Sequence, residues 1–206
     1  SELHKDETSL VDAISCVQHA TDDAYLQLMM PLVNAIRRVR RRREPKSAPQ
    51  CPLITLRPLK EGNKLAAFAQ GCFWGPQVEF KETKGVSRCV VGYMGGKLPC
   101  PTYQNMKDHF ESILIEYDPS VIGYAELLMI WLEMAYPYRK AKKKQYRNAV
   151  YYISEDQRAI AEDIVSTVRQ QSQDRGQVIQ IEVDQLNDFF RAEDHHQCYL
   201  VSERGT

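Results

Sequence analysis

The spacing of hydrophobic positions changes along the chain, and each change marks an element. Through "TSLVDAISCVQHATDDAYLQLMMPLVNAIRRVRRRREP" apolar residues recur at helical spacing, first Leu10, Ile14 and Val17, then Leu26, Met29, Leu32, Val33 and Ile36. Pro31 kinks or divides this stretch, Thr8 or Ser9 suits its start, and Pro45 with the following "KSAPQCP" ends it. Residues 1–50 therefore read as a helical, arginine-rich N-terminal extension and residues 51–206 as a separate domain. In that domain "KLAAFAQ" predicts a short apolar strand and "GPQVEFKETKG" a helix closed by Gly85. "VSRCVVGYMGG" predicts a strand that ends on a glycine turn. "SILIEYDPS" alternates as a half-buried strand, with Ile113, Ile115 and Tyr117 on one face, and stops at Asp118-Pro119. "GYAELLMIWLEMAY" predicts an amphipathic helix and "RNAVYYISE" a strand. "SEDQRAIAEDIVSTVRQQSQ" predicts a helix capped by Ser154 with Gln157 at the capping-box position, and "VIQIEVDQL" a last strand. Strands interleaved with helices through short links indicate an α+β two-layer domain.

Composition narrows the function classes. With 27 basic and 27 acidic residues the chain has no net charge, so no overall attraction draws it to nucleic acid or an anionic membrane. No apolar run reaches the roughly 18–20 residues of a membrane-spanning helix. "RRVRRRR", Arg37 to Arg43, is the one concentrated charge. It reads as the solvated C-terminal end of a helix, favoured by the helix dipole, or as a docking patch for an acidic partner, nucleic acid or lipid. Acidic residues such as Asp22 and Asp23 nearly balance it within the same segment. The six cysteines, Cys16, Cys51, Cys72, Cys89, Cys100 and Cys198, contain no C-x-x-C pair, which argues against a structural zinc site. At this length and cysteine density the expectation is free thiols in a reducing intracellular compartment, cytoplasm or organelle, rather than a secreted disulfide scaffold. A chain opening at Ser1 rather than Met is compatible with removal of a targeting segment.

The candidate chemistry centres on "GCFWG", Gly71 to Gly75. A cysteine between a strand and the first turn of a helix meets backbone N–H groups and the positive end of a dipole. Both favour the thiolate and bring the thiol pKa from about 8.5 toward neutrality. The alternative is an inert buried cysteine. Phe73 and Trp74 either line an apolar slot for a small group such as a methyl on sulfur, or pack into the core. His109, His195 and His196 with Cys198 bring no second ligand group at metal-binding spacing, so no metal site is expected.

"FAQGCFWG" resembles the active-site signature of the A-type peptide methionine sulfoxide reductases (MsrA). "GVSRCVVGYMGGKLPCPTYQNM", "DHFESILIEYDPSVIGYAELL", "QYRNAVYY" and "FFRAEDHHQCYL" resemble further blocks of that family, and they occur in family order over about residues 64–200. The resemblance implies a mixed β-sheet with flanking helices and a ferredoxin-like core. It implies thiol-dependent reduction of methionine S-sulfoxide, in proteins or free, through a Cys72 sulfenic acid. Phe73 and Trp74 would cradle the substrate methyl group. Glu111 in "DHFES" matches the family's acid, whose pKa burial would raise so that it protonates the sulfoxide oxygen. Tyr103 and Tyr146 match two tyrosines whose hydroxyls bond that oxygen. No bound cofactor is implied, only an external thiol reductant of the thioredoxin type.

The chain departs from the family pattern at three places. "MAYP" stands where the family has His-Asp-Pro, and the family's Gly-Asn-Asp-x-Gly segment is replaced by the shorter, basic "YRKAKKKQYR". "KAKKK", Lys140 to Lys144, thus puts positive charge where an aspartate is expected, either to favour a thiolate or to bind an acidic partner, or simply as a solvated loop. The family's glycine-rich tail with a recycling cysteine has no counterpart before Thr206. Cys198 is the leading candidate for a resolving thiol and Cys100 the second. His196 matches a family histidine, for which the resemblance implies a supporting role. Two other readings compete with the reductase: a diverged subunit that docks into a larger assembly through residues 1–50, and a thiol sensor that uses Cys72 alone.

Overall fold

The structure is a computed structural model that describes residues 51–200 apart from 136, 138–140 and 142. The helical extension expected over residues 1–50 lies outside the described residues. Strand β1, Lys64–Ala69, is buried at every position after Lys64 and sits inside a six-stranded mixed sheet of order β5-β4-β1-β3-β2-β6. The other strands are β2 (Val86–Met94), β3 (Phe110–Tyr117), β4 (Ala149–Tyr152), β5 (Glu182–Gln185) and β6 (Phe190–Arg191). Three helices connect them, α1 (Trp74–Glu82), α2 (Tyr124–Ala135) and α3 (Glu155–Asp174). All neighbouring strands are antiparallel except β4 and β5, whose parallel pairing needs the crossover that α3 supplies.

Side chains alternate across β1 and so divide the core into two. On one face the Phe68 ring lies 5.9 Å from Phe80 of α1, and 6.1 and 5.7 Å from Tyr124 and Trp131 of α2. Helix α2 buries Tyr124, Leu127, Leu128, Trp131 and Ala135, the stripe that its helical spacing predicts. On the other face Leu65, Ala67 and Ala69 pack with Phe110, Leu114 and Phe189, and half-buried Ile54 and Leu56 close over them. Because both faces are covered and β3 lies between β1 and β2, β3 is buried at all eight residues rather than half-buried as its alternation suggests.

The predicted elements recur with small shifts. Ser154 caps α3 by accepting the Gln157 N–H at 3.3 Å. The Gln157 side chain turns instead to the Ile153 N–H and the Leu65 carbonyl, at 2.9 and 2.6 Å. Within "VIQIEVDQL" only Glu182–Gln185 is strand, since the Arg169 guanidinium takes the Ile181 carbonyl at 2.7 Å. The two-residue β6 approaches so closely that a Cβ on Gly92 would meet the Phe190 carbonyl at 2.2 Å. Outside β6, residues 52–54 run alongside, with Arg191 N–H to Pro52 O and Ile54 N–H to Phe189 O both at 2.9 Å. That pairing carries Cys51 to Cys100, with which it forms a disulfide (Cα–Cα 4.9 Å). The expectation of free thiols is corrected for these two, and Cys100 in this state has no thiol to offer as a resolving residue.

Glu116 locks the entry to β1. Its carboxylate, 2% exposed, accepts the N–H groups of Leu59 and Lys60 at 3.1 and 2.9 Å, the Asn63 amide at 3.1 Å and the Arg88 guanidinium at 3.2 Å. Burial alone would raise its pKa, but these donors outweigh it and hold the carboxyl below the usual range. A depressed folded-state value contributes stability at neutral pH that is lost as pH falls through it. Glu116→Gln is expected to lower the unfolding free energy by about 2 kcal/mol at pH 7. In urea titrations the gap from the parent protein narrows below about pH 4, where the unfolded-state carboxyl begins to protonate.

Candidate active site

Sheet register sets the position of the candidate acid. The last β1–β3 pair is Ala69 with Ser112, so one step further the chain leaves β1 opposite Glu111. It turns at Gly71 (φ +31°) and enters α1 at Trp74. Cys72 therefore lies two residues before the first helical residue, slightly ahead of the first turn expected from the sequence. Phe73 is the N-cap and offers no side-chain cap. Its N–H, one of the donors that a helix start leaves without a helical partner, goes to Glu111 Oε2 at 3.2 Å. The other carboxyl oxygen accepts the Gln145 amide at 3.1 Å. Glu111 is 1% exposed, shares a face of β3 with Ile113, Ile115 and Tyr117, and pairs across the sheet with Tyr93. Burial raises its pKa to about 7, against the lowering influence of the Phe73 and Gln145 hydrogen bonds and the charge of Lys143.

The two candidate tyrosines reach the same place from separate loops. Tyr146 sits in the 3-10 turn Lys144–Tyr146, and its hydroxyl shares a hydrogen bond with Tyr103. Burial raises the Tyr146 pKa, and the nearby charges of Glu111, Tyr103 and Cys72 raise it further, so it stays a neutral donor. Tyr103 follows the disulfide-bonded Cys100 in a loop closed by reciprocal Thr102 and Asn105 backbone bonds at 3.3 and 3.0 Å. The structure thus brings Cys72, Glu111, Tyr103 and Tyr146 together.

Phe73 and Trp74 are buried and belong to an aromatic wall. Phe73 lies 6.1 Å from Tyr93 and 5.5 Å from His196, and Trp74 stacks on Tyr199 at 4.1 Å. His196 lies 4.6 Å from the Tyr103 ring and joins the tyrosine to this wall. Among the described residues no group of three or more histidines, cysteines and acids is arranged to hold a metal ion. His109 instead braces the glycine turn after β2. Its Nδ1 accepts the Gly96 N–H at 3.3 Å and its Nε2 meets the Leu98 carbonyl at 2.8 Å. A Cβ on Gly96 would strike that imidazole at 2.4 Å.

Sequence reasoning missed Gln145, Tyr93 and Glu193. Glu193 takes the Tyr103 N–H at 2.9 Å on one oxygen and the Tyr93 hydroxyl at 2.6 Å on the other. Burial would raise its pKa, yet Tyr93, the Tyr103 amide and His196 hold it below the usual range, so it is an anion. Its position inside "RAEDHHQ" was the available signal. Gln145 precedes Tyr146 in "QYR", and nothing but this adjacency points to it. Of the basic run, Lys143 faces the acid, since its charge acts on Glu111 and its ammonium lies 6.0 Å from the Tyr146 ring centre. Cys198, the leading resolving candidate, lies against Lys81 of α1, its sulfur 3.8 Å from the ammonium.

Residues 64–205 match the peptide methionine sulfoxide reductase family. Over 137 residues the chain is 38% identical to a peptide methionine sulfoxide reductase of Drosophila melanogaster, a match that spans 66% of this chain and 55% of that protein. It is 37% identical over 140 residues to peptide methionine sulfoxide reductase MsrA 2 of Rhodopirellula baltica, spanning 66% and 83%. The solved structure of methionine sulfoxide reductase A of Corynebacterium diphtheriae aligns with a TM-score of 0.66 at 29% identity, over 78% of this chain and 86% of that one. Fold, sequence and the clustering of residues from separate matched blocks agree, and this chain belongs to the peptide methionine sulfoxide reductase family, in its A type.

Proposed function

We propose that the chain reduces methionine S-sulfoxide to methionine, with Cys72 as nucleophile and Glu111 as general acid. The observation that carries this reading is the buried Glu111 carboxyl bonded to the amide next to Cys72, with its pKa raised to about 7. A carboxyl in that state is half protonated at neutral pH, where it can both give a proton and be restored. The Cys72 sulfur attacks the sulfoxide sulfur, Glu111 protonates the sulfoxide oxygen, and the neutral hydroxyls of Tyr103 and Tyr146 donate to that oxygen as charge gathers on it. The oxygen passes to Cys72. Methionine leaves, reduced by two electrons, and Cys72 is left as a sulfenic acid, oxidised by two. The apolar wall of Phe73 and Trp74 suits the substrate's methyl group.

An external dithiol of the thioredoxin type then supplies two electrons and two protons, regenerating the Cys72 thiol and releasing water. Cys198 is the candidate resolving thiol in this cycle. The cycle calls for no metal or prosthetic group. Gln145 positions the Glu111 carboxyl, and Glu193 positions Tyr103.

Three outcomes test this reading by single-turnover reduction of N-acetyl methionine S-sulfoxide. Cys72→Ser is expected to form no methionine. Glu111→Gln is expected to slow the burst by about 10²- to 10⁴-fold. It should also remove the fall in rate expected of the parent enzyme as pH rises through about 7. Tyr103→Phe and Tyr146→Phe each remove one donor and are expected to lower the rate by about 10²-fold, with little change in the half-saturating substrate concentration. The same acid also has a structural cost. Its raised pKa means that the parent protein loses stability as pH rises from the unfolded-state value through about 7. Glu111→Gln should therefore be the more stable protein at pH 8, by about 3 kcal/mol, and hold no such advantage at pH 4. Thermal unfolding at the two pH values checks the sign.

A further inference from the structure

Where α1 lies over β2, two cysteines outside the Cys72 site share Gln77 as a neighbour. Cys89 is on β2, Cys198 follows the 3-10 turn Asp194–His196, and both are free and partly exposed. Their neighbours join them through one residue. Gln197 binds Val91 as a strand partner would, its Oε1 accepting the Val91 N–H at 3.2 Å and its Nε2 donating to the Val91 carbonyl at 2.9 Å. The next residue, Cys198, donates its N–H to Gln77 Oε1 at 2.7 Å. Gln77 in turn donates to the Cys89 carbonyl at 3.4 Å, and the Cys89 sulfur lies 3.5 Å from the Gln77 carbonyl. Lys81, one turn further along α1, sets its ammonium 3.8 Å from the Cys198 sulfur. Cys198 has φ +50°, a left-handed backbone sparse for a residue with a side chain, so these contacts rather than its own preference hold it there.

The two sulfurs lie within each other's field. Burial first and Cys198 second push the Cys89 thiol up to about 11, against the lowering charge of Lys81. Cys89 is thus a poor first nucleophile at neutral pH, and Cys198, beside the lysine, is the thiol placed to meet an oxidant.

We propose that Cys89 and Cys198 form a second redox site, a dithiol that closes to an intramolecular disulfide when a hydroperoxide oxidises Cys198. In the first step the Cys198 sulfur attacks the terminal peroxide oxygen and the O–O bond breaks. Cys198 becomes a sulfenic acid, oxidised by two electrons, and the peroxide leaves as an alcohol, or as water from hydrogen peroxide. In the second step the Cys89 sulfur displaces hydroxide from Cys198. The S–S bond forms, and the Cys89 proton leaves with the hydroxide as water. Closure fastens the segment that carries His196 and Tyr199 to β2, and it removes Cys198 from exchange with Cys72. Neither step uses Cys72, so the site stands or falls independently of the reductase reading.

The full-length Cys72→Ser protein, with its Cys51–Cys100 bond intact, is treated with one to ten equivalents of hydrogen peroxide, alkylated, and mapped by non-reducing peptide mass spectrometry. The expected product is a single new linkage between the peptides of Cys89 and Cys198, with two thiols lost per chain. Lys81→Met should slow its formation several-fold, and Cys89→Ser should leave a Cys198 sulfenic acid that dimedone traps. The proposal is overturned if Cys198 oxidises while Cys89 remains alkylatable, if Cys198 joins another cysteine such as Cys16, or if both thiols are recovered unchanged. Loss of methionine sulfoxide reduction in the parent protein would not alter any of these results.

Discussion

The hydrogen bond from the Phe73 amide to Glu111 joins the start of α1, the central strand β3 and the turn that bears Cys72. A carboxyl this deeply buried needs partners, because isolation in a low-dielectric interior costs several kcal/mol for its charged form. The fold gives it two donors, one from the helix start and one from Gln145, and no fixed cation in direct contact among the described residues. Two neutral donors lower its pKa less than burial raises it, and the carboxyl rests near neutrality. The Glu111 carboxyl and the turn that bears Cys72 are thereby fixed in one unit, since moving the helix start would strand the carboxyl and moving the strand would leave the Phe73 amide without its acceptor. Register completes the constraint: β1 ends one residue before it would pair with Glu111, and the turn at Gly71 returns the chain over that position.

A second layer acts on the tyrosines. Glu193, anionic and held by the Tyr93 hydroxyl and the Tyr103 amide, fixes a loop that has only a short turn of its own. His196 fills the space between Tyr103 and the Phe73–Trp74 wall. Phe73 and Trp74 pack into the core, one of the two descriptions that their sequence context allowed, in an aromatic wall with His196 and Tyr199. The Cys51–Cys100 bond tethers the other flank of the Tyr103 loop. The loop is thus held at Cys100 and Tyr103, whereas Tyr146 depends on its own 3-10 turn.

Short apolar runs ending at glycine or polar residues made β1 and β2 legible, and helical spacing made α2 and α3 legible, because each leaves a pattern in the chain. For β3 the pattern misled: Ser112 and Glu116 interrupt the apolar run as solvent-facing residues would, yet both are buried and hydrogen-bonded. Polar residues whose bonds are satisfied inside look the same in sequence as polar residues in water. The edge segment at residues 52–54 and the two residues of β6 are too short to carry any period, so the disulfide that their pairing brings about could not be read. Cys72 was singled out by its place between a strand and a helix start, whereas Glu111, Tyr103 and Tyr146 were found through resemblance, since the clustering of the four depends on loops of no regular pattern. Gln145 and Glu193 were missed because their roles lie in which group they hold, and that is fixed only by three-dimensional contact.

The half-protonated state of Glu111 beside Cys72 at neutral pH is what the proposed chemistry requires. Its most direct test is a carbon-13 NMR titration of the side-chain carboxyls, with Glu111 assigned through Glu111→Gln. A Glu111 carboxyl resonance that titrates with a midpoint near 7 is the predicted result. A midpoint near 4.3, the ordinary glutamate value, would mean that the carboxyl is already ionised at neutral pH and cannot serve as the acid.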